Sequence, residues 1–276
     1  MKATLRAACG THPGQLREIN QDSALSLIRS ERLGQALGLF IVADGMGGHK
    51  AGDIASKLAV ETIKDNLAWM LEQDDAQATV LATAPVGNPG HADKMLERRL
   101  RRAVEEANQT IHNYSIANEE EAGNLGCTVT CVLVAGSKAV IGNVGDSRTY
   151  LYRVDELRQI TDDHSYVWQL VREGFLQVED IYDHPQRNVI TRALGNQDTV
   201  DVDTCTYSLE DGDRLLLCSD GVWEMIRDPA EIAAALDNEE LEAAVDQLIL
   251  AANYYGGLDN IGVVVAEFQS TEVEAD

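Results

Sequence analysis

Short apolar runs that begin or end at an aspartate constrain this chain more than any other feature of it. Ala36–Ala43 (ALGLFIVA) runs into Asp44-Gly45, Ala139–Val144 into Gly145-Asp146, and Arg214–Cys218 into Ser219-Asp220-Gly221, while Asp259-Asn260 opens Ile261–Phe268. Val, Ile, Thr and Leu fill these runs and Gly, Asp or Asn bound them, the pattern of strands closed by turns. Ala3–Cys9, Ser23–Ile28, Cys127–Ala135, Thr149–Arg153 and Asp203–Tyr207 read the same way. Tight connections such as Ala135-Gly136-Ser137-Lys138 predict mostly antiparallel pairing.

Three amphipathic helices accompany the strands, over Asp53–Leu71, over Asp93–Ser115, and through Leu241, Val245, Leu248 and Ala252 behind an Asn238 cap. Each has one apolar stripe, so each needs a platform, and the strands supply it. Residues 73–90 read as a mobile insertion, 165–187 as a polar, partly helical excursion able to act as a lid, and 269–276 as a frayed acidic tail. The economical organisation is a single domain over 1–268, with strands and helices in layers.

With 276 residues, 45% of them apolar and 25% charged, the chain can bury a core without staples. Its formal charge of −24 argues against nucleic acid and against anionic membrane, since both demand clustered Lys and Arg. Cys9, Cys127, Cys131, Cys205 and Cys218 form no CxxC pair and are odd in number, as expected of buried thiols in a reducing compartment. No apolar stretch reaches the roughly 18 residues of a membrane span, and MKATLRAACGTHPG lacks a secretion signal's apolar region. A cytoplasmic, soluble protein is expected.

An Asp-Gly pair alone is ordinarily a turn, and Asp211-Gly212 is read as nothing more. The other four aspartates differ by context. Asp220 closes a strand and Asp259 opens one, so antiparallel neighbours would bring both to one sheet edge, near Asp44 and Asp146. Such a cluster repels itself and calls for a cation. Oxygen ligands without His or Cys select Mg²⁺ or Mn²⁺, and two such ions about 3.5–4 Å apart form the clamp used for displacement at phosphorus. On the residues alone, a metal site and a set of turns both stay open. Gly45–Lys50 (GMGGHK) fails the spacing of a phosphate loop, and His49 reads as a surface residue or a neighbour of the site rather than a ligand.

A set of segments then falls into a recognisable order: Gly14–Asp22 (GQLREINQD), Val42–His49 (VADGMGGH), Gly126–Val129 (GCTV), Asn143–Arg148 (NVGDSR), Thr161–Ser165 (TDDHS), Asn188–Gly195 (NVITRALG), Leu217–Gly221 (LCSDG) and Asp259–Ile261 (DNI). In these the chain resembles the bacterial branch of the metal-dependent protein phosphatases, the protein phosphatase 2C type. The resemblance implies an α+β fold, a four-layer αββα sandwich of two antiparallel sheets flanked by helices, with two Mn²⁺ or Mg²⁺ ions in a cleft at one end. It implies that Asp44 bridges the ions, that the Gly45 carbonyl joins it, and that Asp220 and Asp259 hold the other side. Asp22 and Gln21 would reach the ions mainly through water, and Asp146 with Asp220 would hold a third. Arg17 would grip the substrate phosphate, and 165–187 would be the flap beside the cleft.

Three positions depart from the family pattern. Gln21 stands where many members have Glu. Met46 stands where eukaryotic members place a His proposed as general acid, which leaves leaving-group protonation to metal-bound water or to His49. Cys127 replaces a small hydroxyl residue and reads as core, facing the same side as Cys131.

The implied activity is hydrolysis of phosphoserine and phosphothreonine in phosphoproteins, by in-line attack of a metal-bridging water, opposing a Ser/Thr kinase in bacterial signalling. The implied partners are phosphorylated proteins and such a kinase, and a monomer is expected. The alternatives are a phosphoesterase for small molecules, and a regulatory or binding module without catalysis. Loss of Asp44, Asp220 or Asp259 would have marked the silent module, and all three are present.

Overall fold

Strand alternation sorts the apolar residues into layers. A computed structural model of the chain describes residues 2–29, 36–48, 51–72, 89–119 and 125–271. One sheet carries, in spatial order, β1 (Lys2–His12), β11 (Ile261–Thr271), β10 (Arg214–Cys218), β7 (Arg148–Arg153) and β8 (Glu156–Gln159). The other carries β2 (Asp22–Ile28), β3 (Leu37–Met46), β5 (Val129–Ala135), β6 (Lys138–Val144) and β9 (Asp203–Ser208), with β4 (Gly126–Cys127) paired to the end of β3. Every pair is antiparallel.

Along β3, Phe40 and Val42 point between the sheets, where they meet Leu215, Leu217, Val264 and Phe268. Leu39, Ile41 and Ala43 point the other way, against helices α1 (Ala51–Glu72) and α2 (Pro89–Ala117). The first sheet turns Leu216, Val263 and Val265 outward onto α4 (Asp220–Trp223), α5 (Pro229–Leu236) and α6 (Leu241–Tyr254). The fold is therefore the expected αββα sandwich. Cys127 and Cys131 are both buried in the helix-facing layer. Residues 165–187 hold a short helix, α3 (Tyr166–Arg172), whose N-cap Ser165 Oγ accepts the Trp168 N–H, and a 3₁₀ turn at Val178–Asp183. Among the described residues, no helix is long and apolar enough to cross a membrane.

Several boundaries differ from expectation. β11 continues to Thr271, because Lys2, Ala3 and Thr4 of β1 offer ladder partners to Thr271, Ser270 and Gln269, so these polar residues are strand and not tail. Residues 272–276, like 73–88, lie outside the described residues. α2 starts at Pro89, so residues 89 and 90 belong to it, with proline at the helix position that tolerates a missing N–H. Asn238 does not cap α6, whose N-cap is Glu240. Its side-chain amide instead donates to the Ala235 carbonyl at the end of α5 and to Gln247.

The β7–β8 hairpin turns on Val154 and Asp155, both left-handed at φ 48° and 63°. This geometry suits Asn or Gly and strains a β-branched residue. Val154 is also 90% exposed, so it loses no packing on replacement. Val154→Asn is expected to stabilise by about 1 kcal/mol, read as a higher melting temperature. An unchanged or lower value would contradict the strain.

Candidate metal centre and active site

At one end of the sandwich the apolar layer between the sheets gives way to hydroxyl groups and then to carboxylates. Thr130 Oγ1 meets Thr149 Oγ1 across the gap at 2.6 Å, and Thr128 Oγ1 meets Ser147 Oγ at 2.7 Å. The next inward position after Phe40 and Val42 is Asp44, and the register sets Asp22 directly opposite it. From the facing sheet, Ser219 follows the inward Leu215 and Leu217. Its hydroxyl donates to Asp22 Oδ2 at 2.6 Å and accepts the Gly262 N–H at 2.8 Å. Asp220 then opens α4. Period-two alternation thus delivers charged groups into a space that is apolar a few residues earlier.

The electrostatic consequence is large. Burial pushes the Asp22 carboxyl up to about 8, with the charge of Asp220 adding to the rise. Burial and the neighbouring Asp22, Asp146 and Asp259 hold Asp44 well above the usual carboxylate range. Asp220 is raised in the same way, by burial and then by Asp44, Asp146, Asp259 and Glu224. Asp146 is raised to about 7 by burial and by Asp163. Without a cation, protons must occupy some of these groups.

Asp22 Oδ1, Asp146 Oδ1 and Asp220 Oδ1 are buried without a hydrogen-bond partner. Buried polar atoms are rarely left so, and three acidic oxygens in one place fit a bound hard cation. Among the described residues, no three His, Cys, Asp or Glu side chains already enclose one point as a finished cage. Asp259 is turned to other partners: its Oδ2 accepts Arg17 Nη2 at 2.7 Å and its Oδ1 accepts the Asn260 N–H at 2.8 Å.

Arg17 lies at the mouth with its side chain 56% exposed, and the bond to Asp259 raises its pKa. The loop that bears it is stapled to the Asp259 loop by Gln15 N–H on the Gly257 carbonyl, at 2.7 Å. Gly14 permits this approach: it is left-handed at φ 79°, and a Cβ there would overlap the Asp259 carbonyl. Gly45 is equally confined, since a Cβ would overlap the Gly52 carbonyl where β3 meets α1. Its N–H donates to the Gln21 carbonyl, and Gln21 Nε2 reaches the Gly47 carbonyl at 3.5 Å. Met46 is half-buried opposite Gly126, and His49 lies outside the described residues.

The structure thus brings together Asp22, Asp44, Asp146 and Asp220, with Asp259, Arg17 and Gln21 at the rim. Sequence reading passed over the residues that hold them. Asn260 is 4% exposed, and its side chain accepts the Gln21 N–H while donating to the Pro13 and Ile19 carbonyls, each at 2.9 Å. Ser219 bridges Asp22 to β11. Glu224 sits one helical turn after Asp220, raised by burial despite Arg187. The i, i+4 spacing from Asp220 could have flagged Glu224, whereas Ser219 and Asn260 carry no such periodic signal.

The family model for protein phosphatase 2C matches residues 9–248. The serine/threonine phosphatase stp of Listeria innocua is 38% identical over 264 residues, covering 95% of this chain and 96% of that protein. The Streptococcus agalactiae serine/threonine phosphatase superposes with a TM-score of 0.79 at 32% identity, covering 95% of this chain and 98% of that one. The catalytic domain of the serine/threonine phosphatase PstP, solved with two manganese ions, superposes with a TM-score of 0.77 at 33% identity, covering 98% of this chain and all of that one.

Proposed function

The chain belongs to the protein phosphatase 2C family, and from that premise we propose that it hydrolyses phosphoserine and phosphothreonine in proteins with the help of bound Mn²⁺ or Mg²⁺. The observation that carries this reading is the self-repelling aspartate set, with three buried and unpartnered oxygens, beside an exposed arginine. Asp44, the Gly45 carbonyl, Asp220 and Asp259 would hold two ions, Asp22 and Gln21 would support them, and Asp146 with Asp220 would hold a third. When bound, such ions activate water at neutral pH and neutralise charge on a phosphoryl group.

The residues of the chain do the rest. Arg17 presents its guanidinium at the mouth, and a phosphoryl oxygen competes with Asp259 for that fork. The strand ends anchor the backbone of Asp22, Asp44 and Asp220, which limits reorganisation as charge shifts from the attacked phosphorus to the leaving serine or threonine oxygen, while Asp259 would have to leave Arg17 to hold an ion. The P–O bond to the side chain breaks, water supplies the new oxygen, and the leaving oxygen takes up a proton. His49 remains a candidate donor for that proton. Cys127, Cys131 and Cys218 are buried with raised pKa values, so no thiolate is available as nucleophile there.

We place the protein in the cytoplasm as a monomer that opposes a Ser/Thr kinase, a reading supported by its free, mostly buried cysteines and by its family. The test is hydrolysis of a phosphothreonine peptide in Mn²⁺ or Mg²⁺, next to a nucleotide monophosphate. Turnover of the peptide that stops with EDTA is expected. Full activity in ion-free buffer would overturn the metal-dependent reading, and a preference for the nucleotide would make it a small-molecule phosphoesterase.

A further inference from the structure

The loop that carries Asp146 is gripped at three consecutive residues, each from a different part of the fold. His164 holds Gly145 twice: its main-chain N–H donates to the Gly145 carbonyl at 2.9 Å, and its Nδ1 accepts the Gly145 N–H at 3.0 Å. Trp223, three residues after Asp220 in α4, donates its Nε1–H to the Asp146 carbonyl at 3.1 Å. Ser147 is tied to Thr128 across the sheets. Arg148 closes the circuit. It is buried, its guanidinium lies 3.6 Å from the centre of the Trp223 ring, and it forms a forked ion pair with Asp163, the residue before His164.

A buried tryptophan or histidine usually finds some partner, so one such bond would mean little. What distinguishes these is where they converge. Asp146 Oδ1 has no partner of its own, and the carboxylate draws its hydrogen bond from the Asp146 main chain. Its direction is set by the main chain, and the main chain is held by His164 and Trp223. Those two come from the root of the 165–187 segment and from the helix that Asp220 opens.

We propose that His164 and Trp223 are positioning residues that aim the Asp146 carboxylate toward Asp220, so that the ion these two aspartates share depends on both anchors. The proposal rests on the reading of Asp146 as a ligand. It makes the flap root and α4 parts of one mechanical unit with that ion. The closed ring Gly145–His164, Asp163–Arg148, Trp223–Asp146 explains why a charged pair is kept in the interior at this point.

Calorimetric titration of Mn²⁺ into the whole chain tests this, with Asp146→Asn as the reference. Trp223→Phe keeps an aromatic ring beneath Arg148 while removing the N–H together with the five-membered ring that bears it. His164→Ala removes the acceptor for Gly145, and His164→Asn restores an acceptor near the Nδ1 position. Trp223→Phe and His164→Ala are expected to weaken by about tenfold or more the ion that Asp146→Asn loses, with the other ions unaffected. His164→Asn should recover most of that loss. In ion-free protein, His164→Ala should also speed amide hydrogen exchange at Gly145. Wild-type affinity for every ion in both Trp223→Phe and His164→Ala, while Asp146→Asn loses one, would overturn the proposal and leave Asp146 a ligand. Wild-type binding by Asp146→Asn would overturn the ligand reading, and the proposal with it. If His164→Ala fails to fold, Trp223→Phe decides alone.

Discussion

Asp220→Asn is expected to melt higher than the parent protein in ion-free buffer and yet hydrolyse phosphothreonine at least about a hundredfold more slowly. The gain follows from the environment of the half-buried Asp220, whose carboxylate faces Asp44, Asp146 and Asp259 and whose Oδ1 is buried without a partner. An amide of the same shape removes the buried charge and the repulsion. Each kcal/mol so recovered raises the melting temperature by about 2–4 °C in a protein of this size. The loss of turnover follows from the same substitution: removing one preorganised charge-stabilising group ordinarily costs about 10²–10³ in kcat. Calorimetry should show at least one Mn²⁺ site lost. The two effects have opposite signs and one origin, so a variant that is both less stable without ions and fully active would contradict the assignment of Asp220.

The ion-free protein is expected to lose stability as pH rises from about 5 to about 8, opposite to the usual behaviour of an acidic protein with paired carboxylates. In the unfolded chain an aspartate titrates near about 4. In the fold, Asp146 and Asp22 are raised to about 7 and about 8, with Asp44 and Asp220 raised as well, all chiefly by burial. Between these limits the folded state holds more protons than the unfolded one, so stability falls with increasing pH. The contribution is complete below the unfolded pKa and lost as pH passes the folded values. Divalent ions reverse the sign, because they bind the ionised carboxylates and compete with protons. The rise in melting temperature on adding Mn²⁺ should therefore be greater at pH 8 than at pH 5.5. General repulsion among 46 acidic residues also grows with pH, and Asp220→Asn separates the two effects by flattening only the part that belongs to the site. A larger Mn²⁺ effect at pH 5.5, or an ion-free stability indifferent to pH, would show that these carboxylates are not held protonated.

The parts of the site that could be read in advance lie where local pattern and chemistry coincide. Asp44 follows an unbroken apolar run that is buried on both faces, so its place at a strand end was legible, while the face it shares with Phe40 and Val42 was not. Asp220 and Asp259 sit at the end and the start of neighbouring strands, and antiparallel pairing alone carries both to one edge. The helices were legible from their stripes, and their ends were not. Asn238 looked like an N-cap because Asn favours that position, yet its amide serves the end of the preceding helix, a choice that only the packing of α5 against α6 makes. β8 escaped notice because Glu156–Gln159 has no apolar alternation and forms by pairing with β7.

The amino-acid sequence by itself determined the antiparallel pairing across tight turns, the apolar stripes of the helices and the placement of carboxylates at strand ends, since these depend on periods of two and 3.6 residues and on turns of a few residues. Only the tertiary structure decided which oxygens share a buried space and what holds them there. Asp22 meets Ser219, Gln21 meets Asn260, and Asp146 meets Trp223 across separations of 197, 239 and 77 residues. Such contacts obey no period. They exist because two sheets face each other at about 10 Å, and at that distance a serine, an asparagine and an indole N–H become the scaffold of a charged site.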